Sequence, residues 1–147
     1  MDESRTLFHT HGLRCTRQRD TLFAALRATR CHPTAEELFQ TVKHEDPGLS
    51  LATVYNTLDA FTKCGLVRRI ATAGAGAVRY DADLAPHVHL VHEDGRITDV
   101  PEEVGRLILR RLRAEDLKAV EEATGVAVDH VSVQLMAKGR AEAGELE

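Results

Sequence analysis

The stretch from Pro33 to Gly65 limits what this chain can fold into, because its helix starts and stops are set close together. Thr34 and Glu37 have the spacing of a capping box, and Ala35, Leu38, Phe39 and Val42 follow the helical period. Pro47-Gly48 breaks the chain, Ser50 caps a further helix running to Cys64, and Gly65 serves as its left-handed stop. Upstream, residues 4–11 fit a short helix ending near Gly12. Thr16 caps another through about Thr29, with Leu22, Phe23 and Leu26 as its buried stripe. Downstream, Leu66–Ala71 and Ala77–Asp81 are β-prone and joined by a turn around Gly74 and Gly76. Short helices followed by a hairpin is the order of a winged helix-turn-helix, with the helices of residues 34–64 at its centre.

Ala82–Pro86 reads as a hinge. Beyond it the pattern predicts strands at about His87–His92 and Arg96–Val100 around a Glu93-Asp94-Gly95 turn, then helices at Glu102–Leu112 and Ala114–Thr124. A last strand at about Val126–Ala137 alternates, with Val131, Val133 and Leu135 on one face and His130, Ser132 and Gln134 on the other. Gly139–Glu147 is polar and expected to fray. The expected fold is α+β: a winged helix over residues 1–83 and a small α/β domain over residues 84–147.

A chain of 147 residues has room for one ordinary domain or two small ones. Its 43% apolar content supports real cores, but aromatics are scarce and Trp is absent, so those cores are expected to be built from Leu, Val and Ala. No apolar run approaches the roughly 20 residues that span a bilayer, and the charged Met-Asp-Glu-Ser-Arg start precedes no signal-like stretch. A cytoplasmic protein without a membrane partner is expected. Cys15, Cys31 and Cys64 form no CxxC pair, which argues against a disulfide framework and against a thiolate zinc cage. The net charge of −4 is unevenly spread: the first thirty residues hold six arginines against three acids, and the acid gathers in the second half. The first half can therefore present a basic face to phosphates.

On a helical wheel of residues 51–63, Leu51, Val54, Leu58 and Phe61 share one face. Ala52, Thr53, Tyr55, Asn56, Asp59 and Lys63 occupy the rest. Asn can pair two-pronged with adenine, and a Thr methyl or Tyr ring can meet the thymine methyl. Arg68, Arg69 and Arg79 of the hairpin suit phosphate contacts. His87-Val88-His89 on a strand would turn both imidazoles to one face, about 7 Å apart, as two ligands of one metal ion. Asp81 and Asp99 lie within plausible reach, and His32 precedes the capped helix. Nitrogen and carboxylate oxygen without thiolate favour Fe(II), Mn(II) or Zn(II) at five or six coordinates. A solvated polar face is the plainer explanation of HxH alone. His9, His11, His44 and His92 are expected to be non-ligands.

Over residues 5–138 the chain resembles the ferric uptake regulator family, on GLRCTRQR at 12–19, HPTAEELF at 32–39, LATVYNTLDAF at 51–61, GLV at 65–67, RYD at 79–81 and HVH at 87–89. Within the family it is most similar to the peroxide-stress repressors, with Asn56 after the recognition-helix tyrosine and Asp at positions 81 and 99. The resemblance implies a metal-dependent repressor, not an enzyme, that binds double-stranded operator DNA as a homodimer. It implies a regulatory site of His32, Asp81, His87, His89 and Asp99, which on binding metal ties the DNA-binding half to the dimerisation half. It also implies DNA contacts from Arg14, in the minor groove, and from Tyr55 and Asn56 as the base-reading pair, and Arg17, Arg19, Ser50, Thr53 and Arg68 are further candidates for DNA contact. In the peroxide-sensing branch, bound Fe(II) reacts with hydrogen peroxide and oxidises a ligand histidine, here His32 or His87, releasing DNA. Mn(II) is the alternative ion, and Zn(II) can occupy the site in purified protein.

The chain departs from the family pattern in having no CxxC motif and no cysteine after Cys64, so no structural zinc is expected and the dimer must rest on apolar packing. Pro86 and Val88 stand where the ligands of the family's additional site would be, leaving one metal per subunit. Haem-responsive relatives also dispense with CxxC, so an iron- or haem-responsive regulator stays open. So do a thiol switch at Cys31, a metal-insensitive DNA-binding protein, and an Fe(II) oxygenase built on two histidines and a carboxylate.

Overall fold

The computed structural model describes residues 2–71 and 76–140, and the chain divides into two compact units, Met1–Leu84 and Ala85–Glu147. The N-terminal unit runs α1 (Asp2–Thr10), α2 (Arg17–Ala28), α3 (Ala35–Val42), α4 (Leu51–Lys63), β1 (Arg68–Ile70) and β2 (Arg79–Asp81). Three of its helices begin where a side-chain oxygen takes an otherwise unsatisfied N–H. Thr16 accepts from the Arg19 amide at 3.3 Å and Ser50 from the Thr53 amide at 3.1 Å. Thr34 accepts from the Glu37 amide, and the Glu37 carboxylate accepts from the Thr34 amide, both at 3.1 Å, which completes the capping box. Gly65 ends α4 with φ 80°, a conformation that costs a side chain steric strain. β1 and β2 pair antiparallel with Arg68 opposite Asp81. Of the turn expected around Gly74 and Gly76, residues 72–75 lie outside the described residues.

The N-terminal core corrects the expectation of Leu, Val and Ala alone. Phe8, Phe23 and Phe61 are buried together, with ring centroids 5.4, 5.5 and 5.6 Å apart. Edge-on and stacked aromatic packing of this kind adds to plain area burial. Leu22, Leu26, Leu38, Val54 and Leu58 pack around the rings. The apolar face of α4 is wider than the wheel indicates, because Thr57 is buried too, while Leu51 is only partly so.

The C-terminal unit contains β3 (Val88–Val91), β4 (Ile97–Asp99), α5 (Glu102–Leu109), α6 (Ala114–Thr124) and β5 (Val133–Met136). Its sheet has the order β4-β3-β5, antiparallel on one side of β3 and parallel on the other. Val88 and Val91 of the central strand are buried, and α5 approaches β3 where Gly105 faces Val88. The last strand is shorter than expected: residues 126–132 are outside it, and Leu135 and Met136 are exposed. Among the described residues β5 is an edge strand that pairs with β3 alone, Val133–Met136 against Val88–Val91. Among the described residues no helix is long and apolar enough to cross a membrane.

The aromatic trio supports the exposed face of α4 from beneath. Phe61→Ala is expected to destabilise the N-terminal unit by about 3–5 kcal/mol, measured as a lower midpoint in urea unfolding at fixed protein concentration. A shift of under about 1 kcal/mol would remove the cluster from the centre of this core.

Candidate metal ligands and nucleic-acid interface

Within the N-terminal unit the structure brings together His32 and Asp81. His32 follows the end of α2 and has φ 43°, the one non-glycine residue with positive φ among the described residues. That left-handed conformation costs an L-residue about 1–2 kcal/mol, so the surroundings must hold it. The Tyr80 amide donates to the Pro33 carbonyl at 3.1 Å, Thr34 and Arg79 form a β-bridge, and the Arg79 guanidinium donates to the His32 carbonyl at 3.2 Å. These contacts fix the 32–34 strap against β2, whose last residue is Asp81. His32 Nδ1 lies 3.5 Å from Asp81 Oδ1, with both side chains buried. The same carboxylate oxygen accepts the Asp83 amide at 2.8 Å, so the buried carboxylate is partly satisfied by its own chain.

Within the C-terminal unit the β3–β4 register sets His89 opposite Asp99. His87 precedes the strand, correcting the expectation that HxH lies wholly on it at strand spacing. Its ring meets that of His89 edge-on, centroids 4.4 Å apart. His87 Nδ1 is 2.6 Å from the Ala85 carbonyl oxygen. A carbonyl only accepts, so Nδ1 carries the proton, and in the neutral ring Nε2 offers a lone pair. That Nε2 sits 3.2 Å from Asp99 Oδ1, and His89 Nε2 sits 3.7 Å from the same oxygen. A nitrogen lone pair and a carboxylate oxygen turned toward each other in this way are donor atoms of the kind a divalent cation takes. A carbonyl fixing the far nitrogen of an imidazole is the usual support of a histidine ligand.

The other histidines are engaged or solvated. His92 Nε2 is 2.9 Å from the Thr98 hydroxyl, His11 Nδ1 is 2.9 Å from the Leu7 carbonyl, and His9 and His44 are exposed. Cys31, next to His32, is exposed; Cys15 and Cys64 are half-buried.

On α4, Ala52, Tyr55, Asn56, Asp59 and Lys63 are exposed. Ser50 and Thr53 share a hydroxyl hydrogen bond of 2.8 Å at the helix start. The Tyr55 hydroxyl donates to the Glu36 carboxylate of α3, and this bond pushes the phenol up and the carboxyl down from their ordinary values. Arg14 and Arg17 are exposed, Arg19 donates to the Arg14 carbonyl at 2.8 Å, Arg68 is half-buried and Arg69 exposed. Arg79 is a correction: expected at phosphates with Arg68 and Arg69, it is 8% exposed and its guanidinium meets Glu37 at 3.0 and 3.4 Å. Alternation cannot reveal this, because all three residues of β2 are buried. The available signal is the charge itself, since an arginine on a buried strand needs a carboxylate, and Glu37 of the capping box supplies one.

The sequence profile of the ferric uptake regulator family matches residues 10–132. The chain is 34% identical over 100 residues to the peroxide-responsive repressor PerR of Staphylococcus saprophyticus, covering 67% of each chain. It is similar to the solved Vibrio cholerae ferric uptake regulator (Fur) with a TM-score of 0.69 at 26% identity, covering 92% of this chain and 99% of that one. It is similar to the ferric uptake regulator from Pseudomonas aeruginosa with manganese, again with a TM-score of 0.69, at 25% identity over 93% and 98% of the chains. An α+β chain with an N-terminal winged helix and this extent of likeness belongs to the ferric uptake regulator family of metal-responsive regulators.

Proposed function

We propose that this protein is a metal-dependent transcriptional repressor, and not an enzyme, that binds operator DNA as a homodimer and senses peroxide. In this reading one Fe(II) or Mn(II) ion per subunit takes His32 and Asp81 from the N-terminal unit and His87, His89 and Asp99 from the C-terminal unit. The observation that carries it is the pair of ready-made ligand sets on either side of residues 82–86, each with imidazole nitrogen facing carboxylate oxygen at 3.2–3.7 Å. Three imidazoles and two carboxylates without thiolate fit Fe(II), Mn(II) or Zn(II) and leave a coordination position open. An ion taking ligands from both units would set the geometry of the hinge, and with it the spacing of two recognition helices in a dimer.

The N-terminal unit is the DNA-binding one. Asn56, Tyr55 and Thr53 meet base edges from α4, while Arg14, Arg17, Arg19, Arg68 and Ser50 are the further contacts to the duplex. The C-terminal unit forms the dimer. Val104, Leu107, Val120, Val126, Leu135 and Met136 are exposed there in one subunit, apolar side chains that a second copy would cover. Apolar packing of this kind needs no structural zinc, in keeping with the absence of any cysteine after Cys64.

With iron bound, the site would promote transfer of one oxygen from hydrogen peroxide to a ring carbon of a ligand imidazole, which gives up two electrons while the other peroxide oxygen leaves as water. Oxidation of His32 or His87 then removes a ligand, loosens the connection between the units and releases DNA. The likeness to the Staphylococcus saprophyticus peroxide-responsive repressor supports this signal. The exposed thiol of Cys31 beside His32 supports a second reading, a thiol switch.

Asn56→Ala is expected to weaken operator binding by about 1–3 kcal/mol and to relax base preference at one position. Arg14→Ala should weaken binding to all sequences and flatten its salt dependence. Unchanged operator preference in Asn56→Ala, measured by fluorescence anisotropy, would displace α4 as the reading helix. Peptide mass spectrometry after Fe(II)-loaded protein meets low peroxide should show one added oxygen on the His32 or His87 peptide, and none in an Mn(II) control. Oxidation confined to Cys31 would favour the thiol switch, and an unmodified chain would make iron supply itself the signal.

A further inference from the structure

Arg79 and Glu37 join three parts of the N-terminal unit at one point. Arg79 Nη1 donates to Glu37 Oε2 at 3.0 Å and to the His32 carbonyl at 3.2 Å, while Nη2 donates to Glu37 Oε1 at 3.4 Å. Glu37 Oε2 also accepts the Thr34 amide that starts α3. Along β2, Arg79 stands two residues before Asp81, and its backbone bridges Thr34. The backbone of His32, the side chain of Arg79 and the capped end of α3 are thus held by one guanidinium–carboxylate fork.

The fork answers a need that the His32 backbone creates. A histidine at φ 43° is unfavourable unless its neighbours over-determine it. The Arg79 bond to the His32 carbonyl does so from the strand that also carries Asp81. We infer that Arg79, with Glu37 as its counter-ion, is a positioning residue for the metal: it presets the spacing of His32 and Asp81 and ties that spacing to the start of α3. The inference rests on the reading of His32 as a ligand. The chemistry requires arginine. Its planar fork can address two carboxylate oxygens and a carbonyl together, which a lysine ammonium on its flexible stem does not reproduce.

A double-mutant cycle on the full chain tests this. Mn(II) affinity is measured by competition with a chromophoric chelator for Arg79→Lys, Glu37→Gln, His32→Ala and the two doubles with His32→Ala. Removing such a supporting group typically weakens metal binding about tenfold or more. Arg79→Lys and Glu37→Gln should each show that loss alone and no further loss in the His32→Ala background, because both act through His32. Glu37→Gln keeps the capping-box chemistry, so it decides the question if Arg79→Lys does not fold. Affinity equal to wild type in the folded single variants, or a loss repeated in full without His32, overturns the positioning role. Wild-type affinity in His32→Ala alone would instead remove His32 from the ligand set, and the inference would fall with that assignment.

Discussion

A guanidinium cannot stay charged inside a protein without a partner that replaces water, and Arg79 is 8% exposed. Glu37 is that partner, and the consequence spreads outward. Because Glu37 must face β2, α3 begins against that strand. Because Arg79 also takes the His32 carbonyl, the segment between α2 and α3 is pinned in a left-handed kink. Glu37 is half-exposed, so solvent screens the pair and little of its value is net stability. Its effect is geometric: it decides where a histidine and an aspartate stand relative to each other.

The same unit divides its labour by depth. Phe8, Phe23 and Phe61 make a rigid base under α4, while the outward face of that helix keeps small and hydrogen-bonding groups. One of these, Tyr55, is already oriented by Glu36 from α3. The helix that bears the candidate base-reading residues therefore rests on a core, and its neighbour α3 connects it to the strap that holds His32. Within the N-terminal unit, the candidate ligand His32 is thereby connected to the candidate reading face through packed elements.

Much of this was legible in the sequence because it depends on local rules. Thr16, Thr34, Ser50 and Gly65 mark helix ends by chemistry that acts over three or four residues, and the helices begin and end there. The β3–β4 turn at Gly95 is of the same kind. What could not be read depends on long-range packing. Three of four phenylalanines converge from α1, α2 and α4, which composition cannot show. Arg79 looked like a phosphate contact because a three-residue strand buried throughout has no alternation to betray it. The final strand is short because it pairs with β3, which offers it four residues, Val88–Val91, a match that alternation within one segment cannot show. Among the ligand candidates, HxH spacing and the carboxylates were visible, but the His87 tautomer set by Ala85 and the left-handed His32 backbone are properties of the folded chain.

The central claim is that one ion joins the two units. Anomalous diffraction from crystals of the Mn(II)-loaded dimer tests it most directly. One strong peak per subunit is expected, coordinated by His32 and Asp81 together with His87, His89 and Asp99. A peak coordinated by residues of one unit alone, or a separate ion in each unit, would contradict it.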